Sequence, residues 1–118
     1  MGRQHQQYIF NFANGATTST NQHNLGSIAF GTLLVPSDFN AKTCNFVTAI
    51  TGTPNADGLT TPSDFNTKTL LSAAKTLATG SNALTSDEIR ELMPAGPVKM
   101  TISAAATGAQ QAVLWGKD

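Results

Sequence analysis

Charged side chains are scarce in this chain. Only 12% of its 118 residues are Asp, Glu, Lys or Arg, about half the usual share, and seven basic residues balance seven acidic ones. A net charge of zero leaves no basic surface for nucleic acid or anionic lipid, so we expect neither nucleic acid nor a membrane as a partner. The exterior must be formed largely by the 17 Thr, 16 Ala and 9 Asn residues, and such a surface is poorly protected against association. This favours a protein that packs against copies of itself or a larger assembly, with an ordinary soluble domain as the alternative.

Cysteine and long apolar runs are also lacking. Cys44 is the only cysteine, which excludes an intramolecular disulfide, and its place in an alternating apolar run predicts a small buried side chain. No stretch of about 18 apolar residues is present that would span a membrane as a helix. The segment MGRQHQQYIF has no apolar core of the kind found in signal peptides, so we expect synthesis in the cytoplasm.

Residue types that carry catalysis are few. The two histidines, His5 and His23, lie in Gln- and Asn-rich segments, and their spacing is not that of a metal-ligand pair. The Gly-rich patterns that bind phosphate are absent from the sequence. We therefore predict that the protein is not an enzyme and has no catalytic residue, cofactor or metal site. Trp115 has two interpretations, a residue that stacks on sugars or a core or edge aromatic of the last strand, and we favour the second.

Alternation with a period of two dominates the chain and predicts an all-β protein. In the clearest strand, Val98, Met100, Ile102 and Ala104 are expected to face inward. In residues 28–35 both alternating sets are apolar or small, so we predict a strand that is buried on both faces. Residues 8–12, 44–51 and 111–115 are predicted to be further strands, the last with Val113 and Trp115 on the face opposite Leu114.

One short helix interrupts the strands. Thr85 and Glu88 have the spacing of a capping box, and Pro94 stops the helix, which we place near residues 86–93. The apolar positions of residues 70–78 fit either a helix or a strand, and their periodicity does not decide between the two.

An eight-residue sequence occurs twice with one change. PSDFNAKT at Pro36–Thr43 returns as PSDFNTKT at Pro62–Thr69. Ser or Asp after Pro favours a turn in which the side chain accepts a hydrogen bond from the amide two residues on, and Phe anchors the turn in the core. Because a repeat array needs three or more units, we predict two similar turns, anchored by Pro36, Phe39, Pro62 and Phe65.

The order of these segments resembles a group of small structural proteins of tailed bacteriophages. The likeness covers most of Ser27–Lys117. It lies in the apolar strand LGSIAFGTLLV, the turn formed by Pro36, Phe39 and Ala41, and the strand Thr43–Gly52. It continues in a penultimate strand at Val98–Ala104, an Ala- and Gln-rich loop, and a last strand at Val113–Trp115. That family pattern usually has a single turn of this kind, so the second octet departs from it.

The resemblance implies a jelly-roll-like antiparallel β-sandwich that acts as a capsid decoration (cement) protein on the virion surface. Its partners would be the phage major capsid protein and copies of itself, so we expect a homo-oligomer within an assembly. Residues 14–118 would form the single sandwich domain, and residues 1–13 either an N-terminal arm or the first strand. In an arm, Arg3, Tyr8, Phe10 and Phe12 would be the assembly contacts. The alternatives are a carbohydrate-binding module on the virion surface and a tail or connector subunit.

Overall fold

The computed structural model describes residues 5–25, 28–48, 52–54, 60–62, 68–92 and 97–117. Within these residues the chain forms eleven β-strands and one α-helix. The strands are β1 (His5–Phe12), β2 (His23–Asn24), β3 (Phe30–Val35), β4 (Thr43–Thr48), β5 (Gly52–Pro54), β6 (Thr60–Pro62), β7 (Lys68–Thr69), β8 (Lys75–Thr76), β9 (Gly80–Ala83), β10 (Pro97–Ile102) and β11 (Gln110–Lys117). The helix, α1, is Ser86–Leu92, and a short 3-10 helix covers Ser37–Phe39.

The strands form two antiparallel sheets and one small hairpin. Sheet I has the order β1-β11-β3-β9, sheet II has β2-β10-β4 with β7 and β8 both on β4, and β5 pairs with β6. The first strand of the chain thus pairs with the last, β2 with β10, β3 with β9 and β4 with β8, as when one long hairpin is rolled into two layers. This is the jelly-roll arrangement. It confirms the predicted all-β sandwich with one short helix.

The core lies between the two sheets. The rings of Phe10 on β1 and Phe46 on β4 meet edge to face across it, with their centroids 5.8 Å apart. On β10, Val98, Met100 and Ile102 are buried while the residues between them are not, as predicted. Ala104 lies beyond the end of β10 and is exposed, so the inward pattern stops one position earlier than expected.

Strand β3 is buried on one face, which corrects the prediction that both of its faces are buried. Leu33 and Val35 point into the core, whereas Phe30 is 57% exposed on the other side. The reason is that sheet I has its partner layer on one side, and in the described part of the chain no second layer covers Phe30. Strand β11 has the predicted division of faces, with Leu114 inside and Trp115 outside.

Residues 5–12 form a strand of the protein's own sheet, the second of the two alternatives for the N-terminus. Each residue of β1 is in register with one of β11, from His5 opposite Lys117 to Phe12 opposite Gln110. Phe10 is 0% exposed and Phe12 is 2% exposed. Their predicted role as assembly contacts is therefore wrong for this conformation, because both rings are already enclosed by the chain's own core. Arg3 lies outside the described residues.

The helix begins with the predicted capping box. The Thr85 N–H donates to Oε1 of Glu88 at 2.8 Å, and the Glu88 N–H donates to Oγ1 of Thr85 at 3.2 Å. These reciprocal bonds satisfy amides that the first turn of a helix leaves without partners. Pro94 lies outside the described residues. In the undecided segment 70–78 the structure forms the two-residue strand β8 and no helix.

The first octet forms a turn, and the ring of Phe39 anchors it in the core as predicted. Phe39 is fully buried and meets Phe12 edge to face at 5.1 Å between centroids. We expected the carboxylate of Asp38 to accept a hydrogen bond from the amide two residues on, and the structure corrects this. The carboxylate accepts from the N–H of Thr107 at 3.0 Å and from Nζ of Lys42 at 3.2 Å, and so ties the turn to the loop before β11. In the second octet Pro62 ends β6, and Phe65 lies outside the described residues.

Candidate functional site

Cys44 and His23, two side chains of types that catalysis often uses, are buried or bonded within the protein. Among the described residues no three His, Cys, Asp or Glu side chains come together as a metal site would require. Cys44 is buried, and this burial raises the pKa of its thiol to about 12, so the reactive thiolate is not formed at neutral pH. Within the same described ranges, no helix has the length and apolar character needed to cross a membrane.

His23 is a structural residue that is bonded to its neighbours. Its Nε2 lies 2.7 Å from the carbonyl oxygen of Ile9 and 3.2 Å from Nδ2 of Asn21. Its ring also meets the rings of Tyr8 and Phe10 edge to face, at 5.5 and 5.2 Å between centroids. These contacts hold the imidazole between the edges of the two sheets.

The surface that stands out is the outer face of sheet I. Strand register places Ile9, Val113, Leu34 and Ser81 side by side in one row across β1, β11, β3 and β9. The next row consists of Gln7, Trp115, Thr32 and Ala83, and beyond it Phe30 lies opposite Lys117. Trp115 is 38% exposed and Phe30 is 57% exposed, and they are the two large hydrophobic residues exposed in the described part of the chain. We call this set of residues the outer face.

The outer face is nearly uncharged. Lys117, at its margin, is the one charged side chain among the described residues of these rows, and Gln7, Asn11 and Gln111 border the apolar centre. An apolar centre with an amide border is the usual composition of a protein–protein contact. Strands about 4.8 Å apart that rise about 3.4 Å per residue give this face an area of roughly 400 Å². That is within the range of the largest apolar patch on an ordinary monomer, and it is only about half of what each partner buries in a standard interface.

An open depression lies at one end of the same sheet. It has a volume of about 510 Å³ and is lined by Asn11, Phe12, Pro36, Ala109, Gln110 and Gln111. Its amides are partly engaged, since Nε2 of Gln111 donates to Oδ1 of Asn11 at 2.8 Å and Nε2 of Gln110 donates to the Thr107 carbonyl at 2.7 Å. Trp115 is four residues along β11 from Gln111, about 14 Å at the rise of a strand, so its ring does not line this depression.

The free edge of β1 is closed at Ile9 and Asn11 by the stretch that carries Thr20 and Asn21. Asn21 accepts from the Asn11 N–H through Oδ1 at 2.8 Å and donates through Nδ2 to the Ile9 carbonyl at 2.6 Å. The Thr20 N–H donates to the Asn11 carbonyl at 2.7 Å. The short stretch that carries these residues also runs along β10, where the Ser19 N–H donates to the Met100 carbonyl at 2.8 Å. It therefore joins the edge strand β1 of sheet I to β10 of sheet II.

The structure brings few of the sequence-predicted site residues together. Tyr8 is half-buried beside His23, on the side away from the outer face, and Phe10 and Phe12 lie in the core. Pro36 borders the depression. Ile9 and Phe30 of the outer face were not among the predicted site residues, although each alternates along its strand with residues that face the core and so carried a signal.

Comparisons with known proteins add no relative to these observations: no protein-family model matches the sequence, and neither a curated protein nor a solved structure does.

Proposed function

We propose that the protein is a non-enzymatic structural protein of a tailed-phage virion. Its role would be that of a capsid decoration protein that binds coat subunits through the outer face. The observation that carries the proposal is this nearly uncharged face, with Phe30 and Trp115 exposed on it, on a jelly-roll sandwich. Jelly rolls are frequent among viral capsid proteins, which is support by analogy of fold. The resemblance of the sequence to small phage structural proteins points the same way.

The size of the outer face suits a protein that is present in many copies on a shell. A contact of roughly 400 Å² per partner is at the weak end of specific interfaces. A subunit that touches several coat subunits, or that is held beside other copies, gains a high effective concentration and does not depend on one strong contact. The absence of net charge removes long-range repulsion between neighbouring copies.

Co-sedimentation with expanded empty heads of the phage that encodes the chain tests the proposal. The protein is expected to sediment with the heads and to raise their melting temperature. Trp115→Glu puts a charge in the centre of the outer face and is expected to weaken binding at least about tenfold, because an unpaired charge is costly to bury. Ala73→Glu, at an exposed position on the loop between β7 and β8, is the matched control and should bind as the wild type does. A wild-type protein that stays in the supernatant would refute the proposal.

The depression beside β1 and β11 supports a second candidate, a carbohydrate-binding module on the virion surface. Its lining of neutral amides suits sugar hydroxyls, and jelly rolls also occur as lectin domains. If this candidate is right, Gln110→Ala should abolish oligosaccharide binding and leave head binding intact. Loss of sugar binding in Trp115→Ala with the fold intact would instead place the sugar on the outer face. Rings formed by the purified protein without heads, seen by electron microscopy, would favour a tail or connector subunit.

A further inference from the structure

Strand β9 is the other edge of sheet I. Half of its backbone N–H and C=O groups point away from β3, in the plane of the sheet, toward the side where no strand of sheet I lies. The Leu84 N–H donates to the Gly31 carbonyl at 2.9 Å, which fixes that pair as hydrogen-bonded. Hydrogen-bonded pairs alternate in an antiparallel ladder, so Leu33 with Asn82 is the next such pair. The N–H and C=O groups of Ser81 and Ala83 consequently point away from β3. Within the described ranges, no side chain or loop bonds to these four groups in the way that Asn21 and Thr20 close the edge of β1.

The β9 edge also lacks the features that normally discourage strand pairing. Proteins protect such edges with lysines, prolines or bulges. Residues 76–86 contain no charged residue and no proline, and the outward-facing side chains of β9 are the small ones of Ser81 and Ala83. Residues 76–86 therefore offer no charge that would repel a second strand and no proline that would interrupt its pairing.

The edge is held in shape before any partner arrives. Asn82 is buried, and its Oδ1 accepts from the Ala78 N–H at 2.9 Å. Its Nδ2 lies 2.9 Å from the Ala78 carbonyl and 3.2 Å from the carbonyl of Leu33 on the neighbouring strand. Gly80 enters β9 with φ +96°, a conformation open to glycine at little cost. Because β9 is already ordered, it would lose little conformational entropy when a partner strand binds.

We propose that β9 is a self-association site, at which two copies of the chain pair antiparallel about a two-fold axis at Asn82. In that register Ser81 of one copy lies opposite Ala83 of the other, so all four outward groups on each side find partners, in four hydrogen bonds. A two-fold contact requires a surface that complements itself. A neutral strand that presents two small residues on either side of the axis meets that requirement.

Pairing at β9 would make one continuous sheet of eight strands from the two copies of sheet I. It would also place the two outer faces side by side, for a combined area of roughly 800 Å², which is what each partner of a standard interface buries. The second copy is thus the occupant that turns an undersized outer face into one of ordinary size. The self-association itself does not depend on capsid binding.

Paired charge variants test the register. In S81K/A83K each new lysine lies opposite a new lysine of the other copy, and like charges directly opposite destabilise a strand pair. In S81E/A83K each new glutamate lies opposite a new lysine, so the pair is restored with the same number of charges. Sedimentation equilibrium of the purified protein should show a wild-type dimer, a dissociation constant at least about tenfold higher for S81K/A83K, and near wild-type association for S81E/A83K at low salt, weakening as salt rises. Circular dichroism checks that each variant is folded.

Backbone amide exchange of the unmodified protein gives a second readout. The amides of Ser81 and Ala83 should exchange fast in dilute solution and slowly at a concentration where the dimer forms. The amide of Asn82, bonded to Leu33 in either state, should be protected at both concentrations. A wild-type protein that is monomeric at about millimolar concentration, or a dimer in which S81K/A83K associates as tightly as S81E/A83K, would overturn the proposal. Failure of the protein to bind phage heads would leave these measurements unaffected, so the two proposals fail separately.

Discussion

Asn21 takes the place of a missing strand beside β1, and its removal tests how much an edge-closing side chain contributes to stability. In Asn21→Ala the two hydrogen bonds to β1 disappear, to the Asn11 N–H at 2.8 Å and the Ile9 carbonyl at 2.6 Å, together with the 3.2 Å contact between Nδ2 and Nε2 of His23. The Ile9 carbonyl keeps Nε2 of His23, 2.7 Å away, as a neighbour. The Asn11 N–H is left without the partner that Asn21 supplied, although solvent can reach it.

The expected loss follows from these two bonds. Each hydrogen bond of this kind contributes about 1 kcal/mol net to the free energy of unfolding. The Asn11 N–H is only half-buried, so the loss of its partner adds little to this cost. We therefore expect Asn21→Ala to be destabilised by roughly 2 kcal/mol. For a domain of this size that corresponds to a melting temperature lower by roughly 8 °C. Asn24→Ala, a change of the same type at an exposed position of β2, should remain within about 0.5 kcal/mol of the wild type.

Urea unfolding followed by circular dichroism measures both variants under the same conditions. The slope of the transition should not change, because the surface exposed on unfolding stays the same. If Asn21→Ala and Asn24→Ala have equal free energies of unfolding, the side-chain closure of this edge contributes nothing, and the reasoning is refuted.

Three other predictions use the same protein. In Gly116→Ala the new Cβ would lie 2.7 Å from Cγ2 of Ile28, so we expect a loss of about 1–3 kcal/mol in urea unfolding; an unchanged midpoint would contradict it. Cys44 should resist a thiol reagent at pH 8 until the protein unfolds, since burial raises its pKa to about 12, and rapid labelling of the native state would show otherwise. Burial acts to raise the pKa of Glu88, but hydrogen bonds from the Thr85 N–H and from Nζ of Lys75 outweigh this effect, so the pKa of Glu88 is lowered. The stabilisation is therefore complete above the ordinary value of 4.5 and is lost as the pH falls below it, so stability should decrease less on acidification in Glu88→Gln than in the wild type.

Local patterns in the sequence predicted the parts of the fold that depend on neighbouring residues. The capping box of Thr85 and Glu88 closes within four residues, so its geometry follows from the sequence alone. The alternation of Val98, Met100 and Ile102 likewise needs only the pleat of one strand. Phe39 was correctly assigned to the core, because a phenylalanine in an otherwise polar turn is the residue that gains most from burial.

What the patterns did not predict depends on where the second layer lies. Alternation divides β3 into two sets of residues, but only the position of sheet II decides that Leu33 is buried and that Phe30 is exposed. The same holds for Phe10 and Phe12, whose inward face was read as a contact surface for other subunits. The role of Asn21 was out of reach for a related reason, because its partners lie 10 and 12 residues away on a strand whose edge is defined only in the folded protein.

The asparagines also change how the composition should be interpreted. We attributed the abundant amides to an exterior that adheres to other subunits, yet several of them bond the chain's own backbone. Asn45 accepts from the Leu71 N–H at 3.0 Å and lies with Nδ2 3.2 Å from the Leu71 carbonyl, as a strand residue would, and Asn21 and Asn82 bind backbone groups in the same way. Amides of this kind satisfy the irregular edges of a small sandwich without charge.

The closed edge of β1 and the open edge of β9 lead to a different view of assembly from the one based on an N-terminal arm. An arm would have put the contact at β1, but β1 is paired with β11 on one side, and Asn21 closes its other side at Ile9 and Asn11. The outward backbone groups of β9 and the apolar rows of the outer face belong to the same sheet, and Ser81 and Ala83 lie on both surfaces at once. A change at either residue should therefore alter self-association and head binding together, whereas Trp115→Glu, two strands away from β9, should alter head binding alone. This difference separates the two contacts experimentally although they share one sheet.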